Sequence, residues 1–233
     1  MDTVLNELKD GIRRFRTEIY PKNEATYLQA VSEPQRPHSL IVTCADSRID
    51  IETITQSGPG DIFVTRNVGN LVPAYGEMLG GVSAVIEYAV TALKVQHVVI
   101  CGHTDCGVMK GVLNPEALKP LANVSAWLSH AQPAREALAE SAGSLSESEF
   151  LLALTERNVV EQLKNLHTHP SVAARLEQGN LKLHGWVYHI GRGIVTTYSK
   201  RREKFIRVRT IKPRKKTGAR KSSLPAVRRQ ERK

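Results

Sequence analysis

Residues 38–48 read HSLIVTCADSR, and how this stretch is taken decides the fold. Its first part, SLIVT, is a short continuous apolar run, the pattern of a strand buried on both faces. Its second part sets Cys44, Asp46 and Arg48 at every second position as the chain leaves that strand. Similar runs recur as DIFVTRN at 61–67 and HVVICGH at 97–103, then late in the chain as LKLHGWVYHI at 181–190 and GIVTTYS at 193–199. Between the second and third lies MLGGVSAVIEYAVTAL, with Val82, Val85, Ile86, Ala89 and Leu93 on one face of a helix of about four turns. Apolar strands alternating with helices predict an α/β fold: a mainly parallel central sheet covered by helices on both faces. The last two runs, joined by the tight turn GRG, predict a hairpin that adds an edge strand. Residues 115–180 read as helical, broken at Pro120, at Pro133 and by the polar loop SAGSLSESE. At the other end, LNELKDGIRRF carries Leu5, Leu8, Ile12 and Phe15 at helical spacing and predicts an amphipathic N-terminal helix.

A chain of 233 residues can bury one sizeable core and is marginal for two domains. With 41% hydrophobic and 24% charged residues it has the composition of an ordinary soluble protein. No apolar run approaches the roughly 20 residues of a membrane span, and MDTVLNELKD lacks the regions of a signal peptide, so the cytoplasm is the expected compartment. Three cysteines make a poor disulfide framework and suit a reducing compartment, where the thiol binds metal or acts chemically.

The net charge of +10 invites a nucleic-acid reading, but the charge is unevenly placed. Residues 1–199 hold 17 basic and 21 acidic side chains, a net of −4, whereas residues 200–233 hold 16 basic and two acidic ones, a net of +14. The expected organisation is one enzyme-sized domain over residues 1–205 and a basic, disordered tail over 206–233. Two readings of the tail stand: a solvated charge run, or electrostatic attachment to an acidic surface such as nucleic acid, anionic lipid or an acidic protein.

The chemistry gathers at the ends of two strands. In α/β sheets ligands bind where strands give way to loops at the carboxyl edge. Cys44 occupies such a place after SLIVT, and GHTDCG puts His103 and Cys106 in another after HVVIC. A lone cysteine at a strand end is more often a small core residue, which is how Cys101 reads, and HxxC alone is a weak signal. Together, Cys44, His103 and Cys106 make a Cys2His donor set. Three protein ligands leave a fourth position for water, as catalytic zinc requires, whereas structural zinc is closed by four.

The motifs CADSR, RNVGNLVP, GGVSAVIEYAV, CGHTDCG, KNLHTHPSV and LHGWVYHI, in this order, resemble those of β-class carbonic anhydrases from about residue 5 to about residue 200. The resemblance implies an enzyme that interconverts carbon dioxide and bicarbonate by a zinc-bound hydroxide, with one Zn2+ per chain on Cys44, His103 and Cys106. It further implies that Asp46 accepts a hydrogen bond from that hydroxide while Arg48 holds the Asp46 carboxylate off the metal. In some members the aspartate takes the fourth position and closes the site; the sequence leaves open which state applies here. The resemblance also implies a homodimer or higher even oligomer whose N-terminal helix packs on the partner subunit. Arg66 and Asn67 resemble a motif near the site, with Arg66 equally suited to the subunit interface. Two other functions stay in view: the same zinc site acting on carbonyl sulfide or carbon disulfide, and a zinc-stabilised binding protein whose tail contacts nucleic acid.

Overall fold

The computed structural model describes residues 3–78, 80–139 and 145–208. These form a sheet of six strands: β1 (Ser39–Cys44), β2 (Ile62–Asn67), β3 (His97–His103), β4 (Lys182–His189), β5 (Ile194–Ser199) and β6 (Lys204–Arg207), in the order β2-β1-β3-β4-β5-β6. β1 runs parallel to β2 and β3, and β3 parallel to β4. β5 and β6 then continue the sheet antiparallel. The late hairpin therefore has one strand inside the parallel sheet, and β6, which the sequence reading passed over within a basic segment, forms the outer edge.

The helices are α1 (Thr3–Arg14), α2 (Tyr20–Ser32), α3 (Ile51–Thr55), α4 (Gly81–Glu87), α5 (Gly107–Leu113), α6 (Ala122–Trp127), α7 (Gln132–Glu136), α8 (Glu147–Thr168) and α9 (Pro170–Glu177). A π-helical turn, Phe15–Ile19, joins α1 to α2, so the N-terminal segment stays helical well past Phe15. Pro21 falls in the first turn of α2, where a missing N–H costs least. A second π turn, Tyr88–Ala92, extends α4 and completes the helix expected between the second and third strands.

All six residues of β1 are buried, as its continuous apolar run requires. Alternate side chains divide between two cores: Leu40, Val42, Val98 and Ile100 meet Ile86, Ala89, Val159 and Leu166, while Ile41, Val99 and Cys101 meet Ile51. The first face is thickly covered by helices. The second is thinly covered and holds an open cavity of about 550 Å³ lined by Ile41, Val99, His97, His184 and Trp186. No residue of α1, α2 or the turn between them is buried.

Helix α8 lies close to the sheet because two glycines admit it. A Cβ on Gly185 would sit 2.8 Å from Val159 Cγ1, and one on Gly102 would sit 3.0 Å from Val159 Cγ2. Its start is fixed by a capping box, with the Ser146 hydroxyl and the Glu149 carboxylate satisfying each other's backbone N–H groups.

Candidate metal centre

β1 and β3 are neighbours in the sheet, and both end in a donor: Cys44 on one, His103 on the other. The chain then turns through Asp105, which has a left-handed φ of 59°, and delivers Cys106 to the residue that precedes α5. One donor atom from each of Cys44, His103 and Cys106 lies within 4.8 Å of the others, and all three residues are buried. His103 Nδ1 is 3.0 Å from the Thr104 carbonyl oxygen, which can only accept, so Nδ1 carries the hydrogen and Nε2 presents its lone pair. That Nε2 is buried with no hydrogen-bond partner. A buried acceptor left orphaned is costly unless something fills its lone pair, and a cation between two thiols does so.

The thiols have the electrostatics of a donor pair. Cys44 is lowered to about 4, chiefly because Cys106 hydrogen-bonds to it, with the backbone N–H groups of Gly69 and Asp46 adding to the effect against the cost of burial. Cys106 is driven upward by that same contact, by burial and by the Cys44 charge. One proton thus leaves the pair readily and the second is held, until a divalent charge makes the double thiolate favourable. Cys101 is pushed to about 12 by burial, as an inert core thiol should be.

Asp46 and Arg48 sit against this set. Arg48 donates to Asp46 from Nε (3.0 Å to Oδ1), from Nη2 (2.8 Å to Oδ2) and from its backbone N–H (2.9 Å to Oδ1). This grip, the side-chain donors first, holds Asp46 far below the usual carboxylate range. Asp46 is therefore an acceptor-only anion, with Oδ2 only 3.8 Å from His103 Nε2.

The loop bearing Asp46 is fixed from β2. Arg66 Nε donates to the Cys44 carbonyl (3.1 Å), and its Nη2 to the carbonyls of Asp46 and Ile49 (2.7 Å each). Arg66 thus acts on the backbone of the metal loop. Asn67 closes the 67–71 turn by accepting from Leu71 N–H (2.8 Å) and donating to Leu71 O (2.9 Å). In that turn Gly69 has φ +84°, and a Cβ there would sit a tight 3.2 Å from Val108 Cγ1. By contrast, a Cβ at Gly81 or Gly107 would meet nothing within 4 Å.

Two features escaped the sequence reading. Asp105, inside the HxxC spacer, receives Arg48 Nη1 on Oδ2 at 2.7 Å, and its carbonyl receives Nη2 at 2.9 Å. On α8, Asn158 donates to Gly69 O (3.2 Å), Gln162 accepts from Val72 N–H (2.7 Å), and Asn165 donates to Val72 O (2.8 Å). Their spacing of four and three was the available signal: a polar ridge on an otherwise apolar face, aimed at the turn that supplies Gly69 to Cys44. Of the remaining histidines, none belongs to the donor group; His97 and His184 pair with each other at 3.0 Å, and His169 meets the Pro73 carbonyl at 3.0 Å.

Fold and donor set together define an α/β protein whose three buried potential metal donors meet at the carboxyl edge of a parallel sheet. The sequence profile of the carbonic anhydrase family matches residues 39–195. A carbonic anhydrase of Pseudomonas aeruginosa is 43% identical over 202 residues, covering 87% of this chain and 91% of its own. One of Synechococcus elongatus is 43% identical over 199 residues, covering 84% and 72% respectively. Among solved structures, the β-carbonic anhydrase CcaA is similar with a TM-score of 0.86 at 36% identity, over 90% of this chain and 94% of that one. A tetrameric β-carbonic anhydrase of Sordaria macrospora gives 0.76 at 28% identity, over 84% and 97%. The chain belongs to the β-class carbonic anhydrase family. It is a lyase, a carbonate dehydratase that interconverts carbon dioxide and bicarbonate.

Proposed function

We propose that the metal is zinc, one ion per chain, held by Cys44, His103 and Cys106. The observation that carries this reading is the convergence of three buried donors with His103 Nε2 left without any other partner. When bound, zinc supplies a Lewis acid that lowers the pKa of a water from about 15.7 toward neutrality. Asp46, as an acceptor-only anion beside the donors, takes the hydrogen bond of the attacking water and turns its lone pair toward carbon dioxide. Arg48 keeps the Asp46 carboxylate in its fork, available for that hydrogen bond rather than for the metal. Removing the metal with a chelator is expected to abolish hydration, and zinc at one ion per chain to restore it. Undiminished hydration by the metal-free protein would end this reading.

A second copy of the chain is the partner that suits the N-terminal segment. Leu8, Ile12, Phe15, Ile19, Leu28 and Val31 are all exposed on it, and the thinly covered sheet face offers further apolar surface. Among the described residues no helix is long and apolar enough to cross a membrane. Three free, buried cysteines suit a reducing compartment, the cytoplasm. Residues 209–233 lie outside the described residues, so the tail rests on its sequence alone. If the tail contacts acidic surfaces, deleting residues 213–233 removes salt-sensitive binding to polyanions.

A further inference from the structure

Arg48 does not hold Asp46 by itself. Its guanidinium is a bridge between two loops, with Asp46 on the edge facing the donors and Asp105 on the other. Lys110, one turn into α5, pairs with the second oxygen of Asp105. Two carboxylates and two cations make a neutral cluster of four, and all but Asp46 are substantially exposed. An exposed ion pair adds little to stability, so the cluster acts through geometry. A long arginine side chain open to solvent has many rotamers, and contacts to the carboxylate and the carbonyl of one residue leave it few.

The free alternative for Asp46 is close by. Its Oδ2 lies 3.8 Å from His103 Nε2, a separation smaller than the 4.8 Å that spans the donor set itself. A carboxylate released from the fork has a fourth ligand position within reach. We propose that Asp105, backed by Lys110, is a positioning residue that fixes Arg48 and thereby sets how often Asp46 is free to bind the metal. The proposal rests on the ligand and Asp46 roles given above. It assigns a function to a residue that sits in the HxxC spacer without being a ligand.

The test is zinc affinity, measured by competition with a chromophoric chelator, alongside hydration rates at neutral and alkaline pH. Asp105→Asn keeps a residue that tolerates positive φ and removes the charge. It is expected to bind zinc about tenfold more tightly, on the scale of one charge-assisted contact, and to lose rate at neutral pH more than at alkaline pH. A merely structural role would weaken zinc binding instead. In an Asp46→Asn background the tightening should vanish, because the extra ligand is gone. Unchanged or weaker zinc affinity in the single variant, or the same tightening in the double variant, overturns the proposal. Lys110→Gln, outside the metal loop, should shift affinity in the same direction by less, and decides the matter if Asp105→Asn does not fold. Zinc affinity unaffected by Cys44→Ser would instead refute the ligand assignment, a separate result.

Discussion

Cys44, Asp46 and Arg48 stand at alternate positions, yet their surroundings divide them: Cys44 is buried, Asp46 half-buried and Arg48 exposed. The sequence showed the residue types; what it could not show is the backbone that makes them work. Gly69 is the clearest case: its amide helps to lower Cys44, and the 67–71 turn that carries it takes a positive φ there. Gly69→Ala forces that φ on a residue with a Cβ and brings it against Val108, so a loss of about 1–3 kcal/mol of stability is expected. Urea unfolding checks the first consequence, and chelator competition should show weakened zinc binding as the second. An alanine variant as stable and as zinc-avid as the parent would show the turn to be dispensable.

At the level of elements, strands were legible because each is a short apolar run between polar turns. β6 was not, because KFIR sits among basic residues and owes its strand state to pairing with β5. The donor triad was legible because each member ends a recognisable strand or begins a helix. The α8 ridge and Asp105 were not, because their partners are backbone groups and an arginine far away in sequence. β4 also carries a pH liability. Burial, with His97, Lys182 and Lys200 nearby, holds His184 below its ordinary value of about 6.5. As pH falls through that value the unfolded chain takes its proton first, so the folded state loses stability on acidification and loses nothing above it. His184→Gln should flatten the decline in unfolding free energy between about pH 6.5 and pH 5, read from urea titrations at each pH. An unchanged acid slope would mean that the ring is not held neutral.

On the scale of the whole molecule, the described residues divide into a well-packed sheet with its donor group and an N-terminal helical arm that buries nothing of its own. An arm that exposes so many apolar side chains is what the partner copy proposed above would cover. On that proposal, the full chain sediments as an even oligomer in analytical ultracentrifugation and removal of residues 1–32 yields monomers. Retention of the full assembly by the truncated chain would move the interface elsewhere. The basic charge that dominates the composition belongs to the last 34 residues of the sequence, whereas the donor residues fall in the net-acidic stretch 1–199, which is why net charge was a poor guide to function.

The central claim is that Cys44, His103 and Cys106 hold the catalytic zinc while Asp46 orients the attacking water. Stopped-flow hydration of carbon dioxide with a pH indicator, on the parent and on Asp46→Asn, with zinc measured on the same samples, tests it most directly. The account predicts fast hydration by the parent and a fall of about 10²-fold or more in the variant, with zinc still at one ion per chain. Full activity in Asp46→Asn, or a zinc-loaded parent that does not hydrate carbon dioxide, would contradict it.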